Sequence, residues 1–214
     1  MTTKLVVQNN SEKNVDVYIT LGATPGCVQD VSKIIVSHGT DIIKLYPLQG
    51  HFILHAHEPA ILAAPNGEGF NGNFSFDTPP LNCPTDQFPH GVNLAEFIIN
   101  NGFQAGGQET IDNSCVCGAN AFIEFVLSAD DWTTNGGSIT VKNIKNDVWD
   151  KNTGLNGVFP YGCDNCTASV SPPSCVGLKP QYANKDPICN VQRPANNNQG
   201  GLVTIKYNGP CPKT

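Results

Sequence analysis

The sequence predicts an all-β fold on three observations. Short apolar runs alternate with a two-residue period, turn residues recur between them, and no helical period is sustained. Gly and Pro, 21 and 16 of the 214 residues, supply the turns. A chain of this length can bury a full core as one undivided sandwich.

Residues 4–8 and 15–21 read as two strands joined across residues 9–14, a hairpin-like opening. Residues 31–36 and 41–46 predict a second pair that turns at His38-Gly39. A strand over 52–57 leads into a Pro/Gly/Asn-rich loop as far as Gly72, then a short strand over 73–77 and a loop over 79–90. The central block follows. Leu94-Ala95-Glu96-Phe97-Ile98-Ile99-Asn100 is strand-like, a polar, Gly-rich connector carries Asp112, Cys115 and Cys117, and Ala121-Phe122-Ile123-Glu124-Phe125-Val126-Leu127 is a second strand. Residues 138–144 alternate like a strand with one exposed face, and 202–207 form a closing strand. Between them residues 145–200 have few apolar runs, and Cys163, Cys166, Cys175 and Cys189 sit among Pro and Asn. Such a segment makes no core of its own and must be pinned by cross-links. The expected organisation is a β-sandwich of residues 1–144 plus 201–214, with a disulfide-rich loop region over 145–200 inserted before the last strand.

Composition excludes several functions. The net charge is −6 and Arg193 is the single Arg among 12 basic residues, so no basic patch exists to neutralise phosphates and no nucleic-acid partner is expected. No run approaches the roughly 18 apolar residues of a membrane helix, so the chain is read as soluble, without membrane insertion. Nine cysteines favour an oxidised, extracellular protein, although Met1-Thr2-Thr3-Lys4 enters a strand without an apolar leader. The odd count leaves a thiol that is either unpaired or available for a disulfide-linked dimer. Sequons at Asn9, Asn73 and Asn165 decide little in so Asn-rich a sequence.

Several motifs carry no chemistry. His51, His55 and His57 would share one face of a strand and could chelate a metal, but only His90 follows downstream to complete a site. The pairs Cys115/Cys117 and Cys163/Cys166 lie too far apart for a zinc ribbon, and disulfides are the better reading. Gly67-Glu68-Gly69-Phe70-Asn71-Gly72 matches a dinucleotide fingerprint without the helix that would hold a pyrophosphate, so it is turn material. No metal and no cofactor is expected.

The carboxylates remain. Period-two alternation sets Glu96 beside Leu94 and Ile98, and Glu124 beside Phe122 and Val126. A carboxylate on an apolar face is either a satisfied structural group or one that lines a polar cleft. Glu96 and Asp112 would face each other if the connector folds back over the sheet. Glycoside hydrolysis usually needs two such groups, one of them a proton donor.

Leu94-Ala95-Glu96-Phe97, then Gln108-Glu109-Thr110-Ile111-Asp112-Asn113-Ser114-Cys115-Val116-Cys117-Gly118-Ala119-Asn120, then Glu124-Phe125, resembles the central block of thaumatin-like proteins. Leu5-Val6-Val7-Gln8-Asn9-Asn10 with Val15-Asp16-Val17-Tyr18 is similar to the family's opening strands, and Tyr207 to Cys211-Pro212 to its end. The resemblance implies a flattened β-sandwich with an acidic cleft that binds β-1,3-glucan, sometimes with weak glucanase activity and a role in antifungal defence. It places the cleft's Glu on Glu96 and its first Asp on Asp112. Its Arg falls near His55 and its loop-region Asp near Asp186. The second Asp falls on Cys117 and is lost, and the family cysteine after the Asn pair is Ser11. The ligand set expected from the resemblance is His55, Glu96, Asp112 and Asp186, with Glu96 and Asp112 as the catalytic pair and Glu96 the proton donor if hydrolysis occurs. The alternative is a structural or storage protein that keeps the sandwich without a working cleft.

Overall fold

The computed structural model of the chain describes residues 3–65, 68–80, 92–100, 108–114, 120–128, 133–134, 143–145, 149–150, 154–155, 190–194 and 200–211. Their strands, in chain order, are β1 Thr3–Asn9, β2 Val15–Leu21, β3 Ile35–His38, β4 Ile43–Tyr46, β5 Gln49–Leu54, β6 Pro59–Ala63, β7 Phe70–Phe76 and β8 Leu94–Ile99. They continue with β9 Gln108–Ser114, β10 Ala121–Leu127, β11 Thr133–Thr134, β12 Asn143–Lys145, β13 Trp149–Asp150, β14 Gly154–Leu155, β15 Asn190–Pro194 and β16 Gly201–Pro210. One short 3-10 turn, Val31–Lys33, is the one helical element among the described residues.

Two sheets form a sandwich. The first orders its strands β12-β10-β16-β1-β6-β3, and the second β11-β15-β9-β8-β7-β2-β5-β4. Strand β16 lies between β10 and β1 and runs parallel to β1, so the closing strand completes the middle of the first sheet. The inward positions alternate strictly along β2, β8 and β10. Phe52, Phe70, Phe74, Phe76, Phe97 and Phe125 fill the space between the sheets. Phe97 stacks on Phe74 with ring centroids 5.1 Å apart and meets Phe70 edge-on at 5.2 Å, which fixes the floor beneath β8.

Both expected hairpins are corrected. β1 and β2 belong to different sheets, as do β3 and β4, so each connector crosses the sandwich edge and closes no two-strand turn. Alternating burial gives each strand an inward face but does not say which sheet it joins. Buried Asn9 organises the first crossing. Its Nδ2 donates to the carbonyls of Lys13 (2.7 Å) and Leu54 (3.1 Å), and its Oδ1 accepts from the Ser11 N–H at 2.8 Å. An Asn held this way has no free amide for a glycan.

The Asp112 connector is also corrected, because residues 108–114 are strand β9. The stretch expected as a loop region contributes β15, which pairs with β9 through Asn190↔Asp112 and Arg193↔Glu109. The strand expected over 52–57 ends at Leu54, and His57 takes a left-handed φ of 62°, so the three histidines do not line one face. His51 bonds Asp16 at 2.9 Å and His57 bonds Glu12 at 3.2 Å. Of the Gly-rich match, Phe70, Asn71 and Gly72 lie inside β7, so the match runs directly into a strand. Cys27 and Cys211, the two cysteines among the described residues, are buried free thiols. The remaining seven cysteines lie outside the described residues, as do residues 138–142.

Candidate functional site

Strand register builds the site. Glu96 on β8 is the direct neighbour of Asp112 on β9 and of Asn73 on β7, and Asn73 is the neighbour of Thr20 on β2. Directly opposed residues share a face, so these four side chains form one row across the outer face of the second sheet. Inward neighbours of the row, Ile19, Leu21, Phe74, Ala95, Phe97 and Ile111, are buried core. The two-residue period that buries them turns the polar set outward.

The row lies in a cleft of about 450 Å³ whose walls include Gly22, Asn71, Ile98 and Thr110. Thr20 Oγ1, Asn73 Oδ1 and Asp112 Oδ1 are buried there without a hydrogen-bond partner among the described residues. Orphaned oxygens of this kind cost about 1–3 kcal/mol each unless a ligand or water satisfies them.

The two carboxylates share a proton-retaining environment. Burial raises Glu96 above the ordinary glutamate range. Asp112 is pushed up to about 8, first by burial and then by the Glu96 charge, with the Asn113 backbone N–H pulling partly the other way. At neutral pH the pair therefore keeps a proton on Asp112, an O–H donor beside the acceptor oxygens of Glu96, Asn73 and Thr20. Among the described residues, no Lys, Arg or His lines the cleft.

The structure brings Glu96 and Asp112 together as cross-strand neighbours. His55 is not brought to them. It is exposed just beyond the end of β5 and is not among the described residues that line the cleft. Asp186 lies outside the described residues.

Sequence reasoning missed Thr20 and Asn73, although both sit on the polar side of clean alternation. It also missed where the single Arg goes. Arg193 Nε donates to Glu109 at 2.6 Å between the sheets, with 3% and 2% exposure of the two side chains. The single guanidinium of the chain is thus committed to the core, and the position near His55 where the resemblance implies an Arg has none.

The sequence matches no protein-family model and no curated relative. Among solved structures, a thaumatin-like xylanase inhibitor, TLXI, overlays 97% of this chain and 99% of its own, at 12% identity and a TM-score of 0.42. The protein elicitor MoHrip2 from Magnaporthe oryzae overlays 96% and 98%, at 12% identity and a TM-score of 0.39.

Proposed function

We propose that the protein binds a neutral polysaccharide in this cleft, β-1,3-glucan first, and serves outside the cell in a defence-type or cell-wall-related role. One observation carries the reading: three orphaned oxygens and a carboxylate pair that retains a proton, side by side in one cleft. A sugar ring presents adjacent hydroxyls that both donate and accept, which is what such a row lacks. The retained proton lowers the negative charge that would draw a cation. The absence of basic residues from the described lining disfavours a phosphorylated or uronic-acid ligand.

The test is depletion of the protein from solution by insoluble β-1,3-glucan, with cellulose and chitin as controls. Selective depletion that falls in Asp112→Asn and Glu96→Gln supports the reading. Any accompanying glucanase turnover should vanish in Glu96→Gln and in Asp112→Asn with the fold intact, since hydrolysis needs both carboxylates. The second Asp implied by the resemblance is Cys117, which favours binding over hydrolysis. Its loss, with Arg193 drawn into the core, also favours the second reading of a structural protein without a working cleft. No depletion by any of the three polysaccharides would select it.

A further inference from the structure

Resting on that reading, we infer that the ligand is a single, unbundled polysaccharide chain lying across the strands, from Asp112 to an aromatic end platform at Tyr46. The polar row does not stop at the cleft. Thr20 is the direct neighbour of Gln49 on β5, and a bulge at Leu45 sets Tyr46 of the edge strand β4 opposite Gln49. Tyr46, Gln49, Thr20, Asn73, Glu96 and Asp112 therefore stand in one line, each on its own strand.

Every member of this line carries a hydrogen-bonding group. The neighbouring lines on the same face do not. One runs Ile43, His51, Tyr18 and Ser75, and the other runs Asn71, Ile98 and Thr110. Neighbouring strands are about 4.8 Å apart, so the line spans about 24 Å and gives about five steps, each close to the length of one pyranose unit.

Tyr46 is 67% exposed at the open edge, beside Ile43 at 61%. An exposed aromatic face accepts the C–H face of a sugar ring and leaves its hydroxyl for a polar contact. The row thus combines acceptors and a donor at one end with a stacking surface at the other.

Sheet twist selects the physical form of the chain. Adjacent strands rotate by roughly 20–25°, which accumulates over five steps to about 100–125° along the row. A flat crystalline ribbon cannot follow that turn. A single chain with free glycosidic torsions can.

Calorimetric titration with β-1,3-linked gluco-oligosaccharides, from dimer to octamer, tests this. Affinity should climb with length and level off at about five units. Tyr46→Ala should weaken the longest oligomers about tenfold and leave the dimer unchanged, because it removes only the far platform. Its side chain is exposed, so an unchanged melting temperature is expected and verifies the fold. A plateau already at the dimer, or an octamer affinity untouched by Tyr46→Ala, overturns the extended row but leaves glycan binding standing. No binding at any length overturns both.

Discussion

Asp112 shows how one side chain links stability to the site. Its carboxyl is held protonated to about pH 8 by burial and by Glu96, against an ordinary value of 3.8. The folded chain therefore binds a proton in this window that the unfolded chain has released, and stability must fall as pH rises from about 4 to 8. Asp112→Asn removes the titration while keeping the shape. It should stabilise the protein on the order of 1–3 kcal/mol at pH 8, discounted for the cleft's solvent access, with the advantage fading near pH 4. Thermal unfolding of both proteins at the two pH values measures this. A variant equally or less stable at pH 8 would show that Asp112 is ionised without penalty. Glu96, also raised by burial, adds a slope of the same sign to both proteins.

At the scale of elements, what could be read in the sequence depended on whether the inward face was apolar. β2, β8, β10 and the Val203–Tyr207 part of β16 place Val, Ile, Leu, Phe, Tyr or Ala inward at every second position, and their alternation is visible in the residues. β9 hides its nature because two of its inward positions are the polar Glu109 and Asn113. Glu109 is satisfied by Arg193, Thr3 and the Asn100 N–H, and Asn113 bonds Asn93 and the Ile123 carbonyl. No one-dimensional pattern reveals partners so distant in sequence. That Glu96 and Asp112 face each other was thus legible only as a condition on how the connector folds back, while the strand register that pairs them was not. The line through Thr20 and Gln49 needs the register of six strands and was not legible at all. Gly72 makes the same point for close approach. A Cβ there would meet the Thr20 carbonyl oxygen at 2.3 Å, so β2 and β7 come together beside the cleft only because that position has no side chain. Gly72→Ala should cost about 1–3 kcal/mol and weaken glycan binding by displacing Thr20. Urea unfolding and depletion by β-1,3-glucan check both parts, and full stability would mean that the strands part without cost.

At the scale of the whole molecule, one polar knot holds the two sheets in register. Arg193 Nη2 donates to Thr3 Oγ1 at 2.7 Å and to the Gly200 carbonyl at 2.6 Å, while its Nε holds Glu109. Thr3 Oγ1 in turn donates to Glu109 Oε1 at 2.8 Å, and Asn100, with a left-handed φ of 56°, exchanges hydrogen bonds with the Thr3 backbone. The knot therefore joins β1 of the first sheet to β8, β9 and β15 of the second and to the residue before β16. Buried ion pairs of this kind add little over a well-packed apolar pair, but half of one is costly. Arg193→Met should lose about 3–5 kcal/mol, because Glu109 is left charged and buried, and Glu109→Leu should lose a comparable amount. The double variant should recover a large part of either loss, since it buries no unpaired charge. Equilibrium denaturation of the four proteins gives the coupling directly, and two single losses that simply add in the double variant would mean that the residues do not depend on each other. Because β15 reaches Asp112 through Asn190, Arg193→Met should also release the outer strand beside the cleft, and hydrogen exchange at Ile111 and Asp112 should quicken relative to the double variant.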